Sequence, residues 1–131
     1  MEFPAEYRQT VFHLEDAPDP LPACFAIITA HNPRDRLASE EENRRRNTTL
    51  LADLEQSGAA RFTATGASPD GLHREPGWAV VMAKHEAIAT GRLHQQTGIW
   101  WIELDQLVLI TCDDGAEFPM GSFSSRVKSG R

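Results

Sequence analysis

Apolar residues gather in short runs along this chain, and Phe25-Ala26-Ile27-Ile28-Thr29-Ala30 is the least interrupted of them. With β-branched Ile27 and Ile28 at its centre, it predicts a strand covered on both faces. Pro33 ends it. The spacing then changes. Placed at intervals of ~100°, Asn43, Asn47, Leu50, Leu51 and Leu54 fall in one stripe of a helix. Ser39-Glu40-Glu41-Glu42 fits a capping box, in which Ser39 accepts from the third helical amide and Glu42 reaches back to the cap. Its glutamates suit the positive end of the helix dipole. The helix should run to about Gln56, with Gly58 as its stop. Because the leucines mark the core side, Asn43 and Asn47 extend that side instead of facing water. Arg44, Arg45 and Arg46 spread around the rest, as a solvated face balancing the glutamates does.

Weaker patterns flank this unit. Tyr7 to Leu14 predicts a short strand, and the prolines from Pro18 to Pro22 then bar regular structure. Phe62 and Ala64 alternate with Arg61 and Thr63, predicting a strand over Ala60 to Thr65. Turn residues from Gly66 to Gly71 make a loop. A third strand is expected over Gly77 to Met82, and a second helix from about Lys84 to Gln96. Ala87, Ile88, Gly91 and Gln95 share one face of that helix, and Gly98 would cap it. Ile99 to Leu104 and Leu107 to Cys112 alternate as a hairpin turning at Asp105-Gln106. Beyond Glu117 the only charges are Arg126, Lys128 and Arg131, so residues 114–131 are expected to be a flexible basic tail.

This order predicts one α+β domain over residues 1–131, with its core at about 7–113. The compact solution is a two-layer sandwich with a ferredoxin-like or split βαβ sheet, a β-α-β-β-α-β core carrying extra terminal strands. Following strand directions through that topology brings His31, Asn32, Asn43, the loop before Glu75, and Gln95 to one end of the domain.

Composition narrows the functional classes. The 131 residues carry 40% apolar and 24% charged side chains, with a formal net charge of −6. That balance argues against general nucleic-acid binding, which needs a basic face. No apolar run approaches the ~20 residues of a membrane span. The first residues lack the basic and apolar regions of a secretory signal. Cys24 and Cys112 are too few for a disulfide framework and have no metal-type spacing. A cytoplasmic protein with reduced, buried thiols is the expectation.

The polar positions also carry a resemblance. Thr29-Ala30-His31-Asn32-Pro33, an asparagine-bearing helix (Asn43 or Asn47), Glu75-Pro76 opening a strand, and a glutamine late in the next helix follow one another in order. These stretches, from about Phe25 to Val108, resemble the bacterial domain of unknown function family 3293. Where that family often has Phe-Gly before the glutamine, this chain has Leu93-His94, so either Gln95 or Gln96 can hold that place. The resemblance implies the position of a site and no activity.

The chemistry follows from those residue types. Carboxamides and an imidazole offer donors and acceptors without fixed charge, which suits a polar small molecule. The expected ligand set is Thr29, His31, Asn32, Asn43, Asn47, Glu75 and Gln95. His31 and Glu75 are candidates for a general base and its partner in a small hydrolase. The alternative for each asparagine is local: Asn32 can cap the turn after its strand, and Asn43 and Asn47 can anchor a loop. His73, Glu75 and His31 form a weak metal set, so no metal is expected. No glycine-rich phosphate loop or dinucleotide fingerprint appears, so no cofactor is expected either. Trp100 and Trp101 point to opposite faces of a strand, one into the core and the other toward a partner surface. An exposed sheet edge offers a route to a homodimer. The main alternative to ligand binding is a structural or protein-interaction module.

Overall fold

A computed structural model describes residues 3–128. After a 3₁₀ turn at Ala5–Gln9, the elements run β1 (Val11–Glu15), β2 (Cys24–Ile28), α1 (Glu40–Ser57), β3 (Arg61–Ala67) and β4 (Arg74–Val80). They continue with α2 (Lys84–Leu93), β5 (Gly98–Glu103), β6 (Gln106–Thr111), β7 (Glu117–Ser122) and β8 (Val127–Lys128). The fold is α+β. Two helices accompany one mixed sheet ordered β7-β6-β5-β2-β4-β3-β1-β8, antiparallel throughout except for the parallel pair β1–β8.

Local chemistry explains the best-defined element. Ser39 caps α1 by accepting from the Glu42 amide at 3.1 Å, and Gly58 ends it in a left-handed conformation with φ 74°. The reciprocal half of the capping box is replaced, because the Glu42 carboxylate takes Arg46 at 2.9 Å. Leu50 and Leu54 are buried as the stripe requires.

Alternation along the strands sorts the core into two clusters. Ala26, Ile28, Val80, Ile99, Trp101 and Ile110 point to the side where Leu50, Leu54 and Ala87 of the helices pack. Phe25, Ile27, Phe62, Ala64, Ala79, Trp100 and Leu109 point to the other side, which no helix covers. That second face closes on itself. Phe12 of β1 meets Trp100 of β5 with ring centroids 5.3 Å apart. Four strand spacings separate those strands in the sheet order, roughly 19 Å on a flat sheet. The sheet is therefore curled, and its inner face is filled by aromatic rings.

Both chain ends serve that closure. Residues 117–128, expected within a flexible tail, instead form β7, a 3₁₀ turn at Ser124–Arg126, and β8. Phe123 is fully buried between Phe12 and Phe25. Arg126 donates to the Arg8 and Thr10 carbonyls at 2.8 and 3.1 Å and to the Met120 carbonyl at 3.0 Å. The rest of that expected tail, including Arg131, lies outside the described residues.

Other boundaries moved for identifiable reasons. β4 begins at Arg74, three residues before Gly77, with Pro76 inside it. The proline is tolerated because β2 stops pairing at Ile28 opposite Trp78, so no β2 partner needs the missing N–H. The second helix ends at Leu93, and Gly98 opens β5 instead of capping it. Leu104 and Asp105, both at positive φ, make the two-residue hairpin turn, and Gln106 already pairs with Glu103. Trp100 and Trp101 do face opposite sides, yet both are buried, one in each cluster, so neither is left for a partner surface. Of the thiols, Cys112 is buried and Cys24 half-buried. No helix among the described residues is long and apolar enough to cross a membrane.

Candidate functional site

Residues 29–38 leave β2 and cross the end of the sheet before α1 begins. Their backbone is unusual, since Asn32, Arg34 and Asp35 all have φ between 48° and 61°. Non-glycine residues in that region each cost on the order of 1–3 kcal/mol unless their surroundings enforce them. Arg34 is held by its N–H donating to the Gln95 carbonyl at 2.7 Å and Asp35 by the Tyr7 hydroxyl, while Asn32 is held by the asparagines. Asn43 Oδ1 accepts from the Asn32 backbone N–H at 2.8 Å, and Asn43 Nδ2 donates to Asn32 Oδ1 at 3.0 Å. The same Asn32 oxygen accepts from the Ala38 N–H at 3.0 Å. One turn along the helix, Asn47 Oδ1 accepts from the Ala30 N–H at 3.0 Å, and Asn47 Nδ2 donates to the Pro76 carbonyl at 2.8 Å. Thr29 Oγ1 donates to that carbonyl as well, at 2.7 Å, and accepts from the His31 N–H.

The predicted residues thus converge, but they divide by task. Asn47 uses both ends of its carboxamide on backbone, and Asn43 spends its own on the Asn32 N–H, the Asn32 side chain and the Ala38 carbonyl, as anchors do. Asn32 is different, because its Nδ2 reaches Glu75 Oε2 at 2.9 Å. His73 Nε2 lies 3.2 Å from the same oxygen. Glu75 is on the inner face of β4, in step with Ala79 and opposite Gly66 of β3.

The sheet's own period builds the cavity at this place. Thr29 follows Ile27 on the inner face of β2, Gly66 and Ser68 follow Ala64, and Gly98 precedes Trp100. Together with Tyr7, Asp35 and Gln96 they line a cavity of about 450 Å³, within the range that takes a small ligand. Trp100 is only 7% exposed, and Tyr7 packs edge-on against it with centroids 5.8 Å apart. The Tyr7 hydroxyl donates to Asp35 Oδ1 at 2.9 Å. Burial first, then the Asp35 and Glu75 charges, push the Tyr7 phenol far above its ordinary range.

His31, Asn43 and Asn47 line a second, shallower groove between α1 and the β3–β4 loop, outside the curl. No hydrogen bond joins the His31 ring to Glu75 among the described residues; the histidine within bonding distance is His73. Burial holds the His31 imidazole below its ordinary pKa, against the opposing pull of Glu75. The glutamine is also resolved. Gln95 is exposed in a left-handed conformation, and its Oε1 accepts from Arg46. Gln96 is buried, lines the cavity, and donates to the His31 carbonyl at 3.1 Å. Among the described residues, no group of three or more His, Cys, Asp or Glu side chains is placed to hold a metal ion.

Tyr7, Asp35, Gln96 and Trp100 are among the lining residues that the expected set lacks. Strand alternation carried the signal for Trp100, since it shares parity with Gly98 just as Thr29 does with Ile27. Nothing local marks Tyr7 or Asp35, whose contact spans 28 positions.

A family model described as a protein of unknown function (DUF3293) matches residues 28–99, more than half of the chain, and the chain belongs to that family. No curated protein and no solved structure matches it.

Proposed function

We propose that this member of the DUF3293 family binds a polar small molecule in the cavity inside the curl. One observation carries the reading: the cavity holds a donor and an acceptor that the protein itself leaves unused. The Trp100 indole N–H has no acceptor among the described residues and is not sealed from solvent. Both partners of Glu75 meet Oε2, so Oε1 is available to accept. Both groups stay within reach of solvent, so each can exchange a water for a polar group of a ligand. Asn32 supports this reading as the positioner of Glu75, with Asn43 holding Asn32 in turn and Asn47 holding the Ala30 and Pro76 backbone.

The strand order β5-β2-β4-β3, all antiparallel with both helices on one side, also supports reading the central segment as a ferredoxin-like unit. β1, β6, β7 and β8 extend it into the curl.

The test is thermal-shift screening against a metabolite and nucleotide panel, repeated with Glu75→Gln and Trp100→Phe. A ligand stabilises by RT ln(1 + [L]/Kd), so millimolar screening detects weak binders. A hit that weakens in both variants, while their circular dichroism matches wild type, supports the cavity. No hit at millimolar concentration refutes it and favours a structural or protein-interaction module.

A further inference from the structure

Resting on that cavity reading, we infer that the ligand presents a positively charged nitrogen, carried on a flat or apolar body. The cavity's formal charges are one-sided. Glu6, Asp35 and Glu75 line it, and among the described residues no lysine or arginine does. Of the arginines nearby, Arg36 and Arg74 adjoin lining residues in sequence without lining the cavity, and three others are held elsewhere. Arg34 pairs with Asp113 at 3.1 Å, Arg46 with Glu42 at 2.9 Å, and Arg126 binds backbone carbonyls. His73 is the one basic side chain at the mouth, and it already faces Glu75.

The acidic rim is joined to a second, independent feature. Trp100, more than nine-tenths buried with its indole N–H unpartnered, forms part of the wall together with Ile27 and Ala64. Carboxylates beside an apolar wall suit an organic cation, because they pair with its charged nitrogen while Ile27, Ala64 and the indole take the apolar body behind it. Burial first, and then the Asp35 and Glu75 charges, raise the Tyr7 phenol, so it stays a neutral donor on this wall. An anionic ligand would meet three like charges there, with no arginine or lysine to offset them.

Benzamidine, benzamide and benzoate are near-isosteric probes that differ in charge. Binding is read from the Trp100 indole resonance in ¹H–¹⁵N NMR, assigned by its loss in Trp100→Phe. Benzamidine should bind about tenfold or more tighter than benzamide, the scale of a hydrogen bond to a charged group, and benzoate should not bind. Glu75→Gln should remove that margin, and Asp35→Asn serves if the first variant is poorly folded. Benzamide or benzoate binding as tightly as benzamidine, with Trp100 perturbed, overturns the charge inference and leaves the cavity reading standing. If no probe perturbs Trp100, both fall.

Discussion

Replacing Asn47 by alanine should lower stability by about 2–4 kcal/mol, a value that follows from what each end of its carboxamide does. The Ala30 amide is buried and takes Asn47 Oδ1 as its acceptor at 3.0 Å. Leaving such a donor unsatisfied costs ~1–3 kcal/mol. The Pro76 carbonyl loses Asn47 Nδ2 but keeps the Thr29 hydroxyl, so that loss is one ordinary hydrogen bond, about 0.5–1.5 kcal/mol. For a chain of this length the melting temperature should fall by on the order of 10 °C. Urea denaturation gives the free energy directly, as a drop in midpoint at constant slope. Adding Thr29→Val should cost more than the sum of the single changes, since the double variant leaves Pro76 with neither donor. Thr48→Ala, one position along on the exposed side, is the control. An Asn47→Ala effect within about 0.5 kcal/mol, the range of ordinary surface changes, would refute the anchor assignment. It follows that Asn47 is the wrong residue with which to probe ligand binding, and Glu75 the right one.

A Cβ at Gly77 would run into the Ile28 carbonyl and lie 3.2 Å from the Thr29 Cα. Both are backbone atoms, so Gly77→Ala should cost about 3 kcal/mol. Gly66→Ala meets only the Thr10 methyl at 3.5 Å and should unfold within about 1 kcal/mol of wild type in the same urea assay; equal effects would refute the contact reading. His31 should titrate below 6.5 by NMR, because burial disfavours its charged form more than Glu75 favours it. Its stability contribution is then fully present above 6.5 and is lost as pH falls from 6.5 toward the folded midpoint. His31→Gln should flatten that part of the stability–pH curve, and an unchanged curve would count against it.

What was legible in the sequence was what local chemistry decides. Ser39 and Gly58 bounded α1 to within a residue or two, because a cap is read within four positions of its helix. The alternation that sets β3 and β5 needs no distant partner to recognise. Asn43 and Asn47 were placed on the buried side by periodicity alone, but periodicity cannot say what their amides bond. Backbone groups of Ala30, Asn32 and Pro76 answer that, up to 29 positions away. The C-terminal segment departs from expectation for the same reason. Residues 117–122 have little apolar pattern of their own, and they become a strand only by pairing with β6. Tyr7 and Asp35 entered the cavity wall through tertiary contact, for which no spacing rule exists.

The Arg126 clasp on the Arg8 and Thr10 carbonyls sets an order of events during synthesis. The wall supplied by Tyr7 is made well before the segment that fastens it. At about 5–20 residues per second, a nascent chain waits several seconds between the two. A product stalled before residue 126 can still assemble the helices and central strands around them, yet its curl has no closing segment. The curl can therefore close only once the Arg126 segment is present, and a chain cut before residue 126 should leave that face open.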